Sequence, residues 1–185
     1  MFVPRTRRSR VPSYGDASRR FRQGLPQWRN GDNCRYNRRQ MVNELNAVVK
    51  ELGGRGLLGN KVAAQRDLSN VIRKGFPHEV VGELMRASGL TLKELADALD
   101  LSPRSLQRRR RTGRLARFES DRLYRLARIV ALAQASLGNR ESVTHWLKSA
   151  NRALGGVAPI HAIDTEPGAR EVENVLGRIA YGGIS

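Results

Sequence analysis

The stretch that decides the fold reads Thr91-Leu-Lys-Glu-Leu-Ala-Asp-Ala-Leu-Asp-Leu-Ser-Pro-Arg-Ser-Leu-Gln-Arg, residues 91–108. Thr91 and Glu94 have the spacing of a capping box, in which each side chain satisfies the other residue's backbone N–H, so a helix starts here. Leu92, Leu95, Ala96 and Leu99 form its inward stripe. Asp100-Leu101 reads as a tight turn with Leu101 against the core. Asp stands where a glycine is common, and its short polar side chain tolerates the left-handed backbone such a turn needs. Ser102 then caps a second helix and Pro103 takes its first position, where a missing N–H costs nothing. A short helix, a tight turn and a capped second helix make a helix-turn-helix over residues 91–111. Small Ala96 lets the two helices approach.

The second helix has one apolar residue, Leu106, and is polar elsewhere. Arg104, Ser105, Arg108 and Arg111 share an exposed surface, with Gln107 beside them. Arginine donates bidentately to guanine O6 and N7, and glutamine pairs with adenine, so this face suits a major groove. Arg114, just beyond the helix, joins the expected DNA-contacting set. The alternative is a plain solvated face. Four consecutive arginines, Arg108 to Arg111, repel one another unless an anion binds, which weighs against that alternative.

Outward from this centre, charge is distributed unevenly. The chain has 185 residues and a net charge of +17. Residues 1–40 carry 11 arginines against two acids, and residues 102–128 carry ten arginines against two acids. The remaining two segments are neutral. A polyanionic partner is implied. Residues 1–40 mix Arg with Pro, Gly, Ser and Asn without periodicity and read as a disordered basic arm. Met41 opens the first regular segment and is a candidate initiator.

The rest reads as helices. Val42, Leu45, Val48, Val49 and Leu52 mark one that Gly53-Gly54 stops, with Gly53 to Gly56 as a flexible joint. Others are expected over about 61–74, from Pro77 to Gly89, from near Glu119 to Gly138, after Asn139, briefly from Pro159 to about Asp164, and after a break at Pro167-Gly168. Arg122, Arg125 and Arg128 recur every three residues on the long helix and are expected to extend a phosphate footprint, or else Arg122 pairs with Glu119. With aromatics at 5% and no strand of useful length, the fold class is all-α. The organisation expected is a basic arm at 1–40, a helical DNA-binding domain at 41–137 and a second helical domain at 138–185.

Catalytic signatures are missing from the reading. His78, His145 and His161 lack metal-ligand spacing to one another or to Cys34, the sole cysteine. His161 and Asp164 suit a surface hydrogen bond better than a catalytic pair. No nucleophile elbow, phosphate loop or dinucleotide fingerprint occurs. A non-enzyme without metal or cofactor is expected. No apolar run approaches the ~18 residues of a membrane span, so no membrane partner is expected.

From Leu90 to Gly182 the chain resembles the Xre/MbcA/ParS-like antitoxins, encoded beside toxins of the RES type. The residues that carry the resemblance are Leu106-Gln-Arg-Arg, Gly113-Arg-Leu, Glu119-Ser-Asp-Arg-Leu-Tyr-Arg-Leu-Ala-Arg, Trp146-Leu and Asn151-Arg-Ala-Leu-Gly-Gly. It continues through Pro159, Gly168-Ala-Arg-Glu-Val and Leu176-Gly-Arg-Ile-Ala-Tyr-Gly. It covers about half the chain, and the basic extension lies outside it. The resemblance implies a cytoplasmic two-part antitoxin. One part binds operator DNA of its own operon, and the other binds and blocks an NAD-consuming RES-type toxin. Assembly as a homodimer or a higher hetero-oligomer with the toxin follows. The family's toxin-binding motif falls here on Trp146, Leu147, Asn151, Leu154, Gly155, Gly156, Pro159, Gly168, Val172, Leu176, Arg178, Ile179, Tyr181 and Gly182. Among these, Trp146, Leu147 and Leu176 suit a core and the glycines suit turns, which leaves Arg178, Tyr181 and Gly182 for direct contact. Two other readings stay open on sequence: a repressor whose C-terminal part only dimerises, and a nonspecific nucleic-acid packaging protein.

Overall fold

A computed structural model of the chain describes residues 30–59 and 62–180, with side chains from Met41 onward. Ten α-helices occupy the described residues: α1 Asn30–Glu51, α2 Gly54–Leu58, α3 Gln65–Lys74, α4 Glu79–Ser88, α5 Leu92–Ala98, α6 Pro103–Thr112, α7 Arg117–Leu137, α8 Arg140–Lys148, α9 Pro159–Ala162 and α10 Glu166–Ala180. A 3₁₀ turn at Arg152–Leu154 joins α8 to α9. The fold is all-α. The only extended pairing among the described residues is a single antiparallel bridge between Pro77 and Arg114. None of these helices is long and apolar enough to cross a membrane.

Several boundaries differ from the sequence reading. The first helix begins at Asn30 rather than Met41: the helix-favouring Arg35, Arg38, Arg39 and Gln40 extend backward a helix that the apolar stripe beyond Met41 anchors. The disorder expected for 1–29 falls outside the described residues. Gly54, Arg55 and Gly56 are not a loose joint but the first turn of α2, whose Leu58 is buried. The helix expected from Lys61 begins at Gln65; Lys61 itself lies outside the described residues. Pro77 does not open α4; it lies in the bridge, two residues before the helix begins at Glu79. Pro167 and Gly168 are no break either. They sit in the first turn of α10, where proline's missing N–H is harmless.

One hydrophobic core runs from Leu45 of α1 to Leu176 of α10. Helix α7 is its axis, packing against α3, α4, α8 and α10. Leu123, Leu126, Ile129, Val130 and Ala133 of α7 are fully buried. The segments on either side of residue 137 therefore share a core. No buried side-chain polar atom among the described residues lacks a hydrogen-bond partner. Glu51, almost buried at the end of α1, receives a bond of 3.1 Å from Gln134 of α7. Burial pushes its carboxyl above the usual range, against the opposing pull of Lys50 and that hydrogen bond.

Candidate functional site

The helix-turn-helix forms through the capping expected of it. Glu94 N donates to Thr91 Oγ1 at 3.3 Å, and Thr91 N donates to Glu94 Oε2 at 2.8 Å. Ser105 N donates to Ser102 Oγ at 3.1 Å, opening α6. Asp100 takes φ 49° in the turn, the only non-glycine positive φ among the described residues. Leu95, Ala96 and Leu106 are fully buried, so α5 and α6 meet at a closed contact.

Two backbone segments seat α6. Residues 75–78 run beside residues 113–115: Leu115 N donates to Phe76 O at 2.9 Å and His78 N to Gly113 O at 3.1 Å. Arg114 Nη1 donates to Gly75 O at 2.7 Å. Phe76 N donates to the buried Ser120 Oγ at 2.8 Å, tying the same clasp to α7. His78 Nε2 meets Leu106 O of α6 at 3.1 Å.

The four-arginine run does not act as one face. Arg109 turns inward, and its Nε reaches Glu119 Oε1 and Oε2 at 3.1 and 2.9 Å. Glu119 is 1% exposed and also accepts Ala116 N at 2.6 Å. The repulsion expected along 108–111 is thus relieved from within by one buried acid. Arg104, Gln107, Arg108, Arg110 and Arg111 are exposed, and among the described residues none of them enters a salt bridge. Ser105 is half-buried, with its hydroxyl 2.8 Å from that of Ser102. Arg114 is exposed but already committed by one nitrogen to Gly75.

The arginines of α7 correct the sequence reading more sharply. Arg122 donates to the backbone oxygens of Leu99 and Asp100 and pairs with the Asp100 carboxylate at 3.3 Å, not with Glu119. Arg125 binds Asp121 at 3.2 Å and Asp164 O at 2.6 Å. Arg128 lies across the Tyr124 ring, pairs with Glu166 at 3.2 Å and bonds to Glu173. Against the cost of burial, these two acids hold the Arg128 pKa above its usual value, and Arg128 in turn holds Glu166 below the carboxylate range. A three-residue spacing that resembled a phosphate footprint is an internal staple. Arg122 holds the turn of the helix-turn-helix, and Arg125 and Arg128 hold the α9–α10 junction. The hydrogen bond expected between His161 and Asp164 is not formed; the Asp164 backbone serves Arg125 instead.

The C-terminal motif residues fall into three groups. Asn151 organises a turn: its Oδ1 accepts Ala153 N at 2.9 Å, its carbonyl accepts Gly156 N at 2.9 Å, and its N–H donates to Val157 O at 3.2 Å. Gly155 and Gly156 form the exposed tip of that turn. Leu147, Leu154, Pro159, Val172 and Leu176 are buried, and Trp146 and Ile179 are half-buried against the same core. Gly168 packs so closely that a Cβ there would strike the carbonyl oxygen of Ala162. Arg178 is exposed on the last turn of α10. Tyr181 and Gly182 lie outside the described residues.

One ion pair joins the helix-turn-helix to this C-terminal region. Lys148 Nζ of α8 meets Glu94 Oε1 at 2.7 Å. Hydrogen bonding from Lys148, then from the Thr91 backbone, lowers the Glu94 pKa to about 2. Because the folded-state value is depressed, the pair stabilises the fold above the ordinary carboxylate pKa and loses that contribution as pH falls toward 2. For so exposed a pair the effect is about 0.5 kcal/mol. Lys148→Ala is therefore expected to melt below wild type at pH 6, with the difference closing near pH 2. Thermal melts across that range check it, and a constant difference contradicts it.

Comparison with known proteins adds the family. Antitoxin Xre of Photorhabdus laumondii is 30% identical over 122 residues, which cover 64% of this chain and 81% of that protein. The chain belongs to the Xre family of antitoxins. Antitoxin Xre of Yersinia enterocolitica is likewise 30% identical, over 120 residues and 81% of its length. The Antitoxin Xre-like helix-turn-helix domain matches residues 67–128, from α3 into α7. The Antitoxin Xre/MbcA/ParS C-terminal toxin-binding domain matches residues 132–182. A chain of the M. tuberculosis MbcT–MbcA toxin–antitoxin complex superposes with a TM-score of 0.50 at 26% identity, over 58% of this chain and 96% of that one. This antitoxin thus carries an MbcA-like toxin-binding domain, and both matched domain families are regulatory rather than enzymatic.

Proposed function

We propose that this antitoxin has two working surfaces. The C-terminal segment captures a RES-type toxin and blocks the active site with which it consumes NAD. The α6 face binds operator DNA in the cytoplasm and represses the operon that encodes the pair. What carries this reading is the coincidence, in one chain, of the toxin-binding domain at 132–182 with unpaired cations on α6.

On the DNA side, Arg104, Gln107 and Arg108 reach base edges. Arg111 and Arg114 neutralise phosphates; the guanidinium of Arg114 keeps free donors beside the one given to Gly75. Ser105 lies at the start of the helix, where a hydroxyl meets phosphate oxygen. A homodimer sets two α6 helices on palindromic half-sites about one DNA turn apart.

On the toxin side, Arg178, Tyr181 and Gly182 make direct contact. Trp146, Asn151, Leu154, Gly155, Gly156 and Pro159 shape the connection from α8 to α9, and Gly168, Val172, Leu176 and Ile179 hold α10 in place. The test is co-expression with the toxin encoded beside it. Deletion of Tyr181–Ser185 combined with Arg178→Ala is expected to abolish protection from growth arrest and leave operator affinity unchanged. Full protection by that variant contradicts the assignment.

A further inference from the structure

The chain also carries a surface whose cations the sequence motifs do not include. An open cleft of about 640 Å³ separates the last turn of α3 from the first turn of α7, lined by Ser69, Ile72, Arg73, Arg117, Phe118 and Asp121. Arg73 and Arg117 are exposed, and among the described residues neither has an ion-pair or hydrogen-bond partner. Lys74, the residue after Arg73, is a third exposed cation, outside the lining itself. Asp121, the one acid in the cleft, is held by Arg125 at 3.2 Å. Phe118, in the same lining, is 55% exposed, one of four large hydrophobic side chains exposed among the described residues.

We propose that this cleft grips the sugar–phosphate backbone of duplex DNA flanking the site that α6 reads. The inference rests on the operator-binding reading above and adds a second contact to it. Charge complementarity selects the occupant. A second copy of this chain would set like cations face to face, whereas a polyanion neutralises all three. Continuity places it. The Arg114 bond to Gly75 and the paired segments 75–78 and 113–115 fasten the end of α3 to the end of α6. Arg117 is six residues beyond Arg111, so at most about 22 Å of chain separates their Cα atoms. That is less than the ~34 Å of one DNA turn, so the cleft lies within reach of a duplex seated on α6. Arg73 and Arg117 then neutralise one phosphate each, and Phe118 packs its apolar ring on the deoxyribose between them.

The experiment measures binding of the full chain to the DNA upstream of its own gene, across a salt series and by hydroxyl-radical footprinting. The double variant Arg73→Ala with Arg117→Ala removes two exposed, unpartnered side chains, and a thermal melt confirms that it folds. The slope of log K against log[salt] is expected to flatten by about 1.8, two phosphates at 0.9 each. The variant's affinity then falls about twelvefold less than wild type between 50 and 200 mM salt. Protection is expected to shrink at the flanks and persist at the centre. An unchanged slope and footprint in the double variant, while Arg104→Ala and Arg108→Ala still lose the operator, overturns this contact and spares the operator reading. An altered oligomeric state with an unchanged slope overturns it in favour of self-association. Absence of specific binding by wild type overturns both.

Discussion

Arg109→Ala is expected to lower the unfolding free energy by about 3 kcal/mol, while Arg108→Ala, one residue earlier, changes it by less than about 0.5 kcal/mol and weakens operator binding instead. The two arginines are chemically identical neighbours and differ only in direction. Arg109 reaches both oxygens of Glu119, at 2.9 and 3.1 Å, and Glu119 is 1% exposed. Truncating the arginine strands a buried carboxylate, a loss of about 3–5 kcal/mol in comparable buried pairs. The bond from Ala116 N at 2.6 Å survives and keeps the expected cost at the lower end. Against the ~5–15 kcal/mol that stabilise a typical domain, this is a large fraction. Arg108 is exposed and has no acid partner among the described residues, so folding does not notice it. A lost base contact costs about 1–3 kcal/mol of binding, or roughly five- to 150-fold in affinity. Urea unfolding and operator titration of both variants check the pair. An unchanged unfolding midpoint for Arg109→Ala contradicts the buried ion pair, and a destabilised Arg108→Ala contradicts the exposed assignment.

Gly75→Ala is the second large effect. Gly75 takes φ +85°, which an L-residue adopts only at a cost of about 1–3 kcal/mol. A Cβ there would also collide with the carbonyl oxygen of Leu115, a backbone atom without a rotamer to escape through. The carbonyl of Leu115 belongs to the segment whose N–H bonds Phe76, and the Gly75 carbonyl holds Arg114. The substitution therefore pushes apart the clasp that seats α6. We expect a loss of about 3 kcal/mol of stability together with at least a tenfold loss of operator affinity under conditions where the variant remains folded. Gly113→Ala, whose Cβ would meet nothing within 4 Å, is the control: it carries the positive-φ penalty without the collision and retains more operator affinity. Equal operator affinities for the two variants contradict the role given to the clasp.

Local signals made most of this fold legible. Thr91, Glu94, Ser102 and Pro103 act within a single turn, so their capping chemistry is written in residues three apart. Asp100 in the left-handed turn follows from the same short-range geometry. Partner choice over longer distance was not legible. Arg122, Arg125 and Arg128 lie at the spacing of an outward stripe, and their acids or backbone acceptors at Asp100, Asp164, Glu166 and Glu173 come from other elements. Only packing of α7 against α10 and the α5–α6 turn brings these together. Arg109 and Glu119 are ten residues apart across Gly113, and the one buried acid after a basic run was the available signal. The start of α1 was missed because residues before Met41 lack the apolar stripe that a periodicity reading depends on. Likewise the Arg73–Arg117–Phe118 cleft joins two helices separated by more than forty residues, and no motif records it. On the C-terminal side the motif was legible as a unit, but burial separates Val172 and Leu176, which hold α10, from Arg178, which α10 presents.

The most direct test of two surfaces on one chain is capture of the tagged full-length antitoxin from its native host, with the bound material identified by mass spectrometry. The account predicts one stoichiometric small protein that consumes NAD only after it is separated under denaturing conditions and refolded, recovered together with DNA from upstream of the antitoxin gene. Recovery of the antitoxin alone, or with that DNA and no protein partner, contradicts the toxin-blocking role and leaves the C-terminal segment as a dimerisation device.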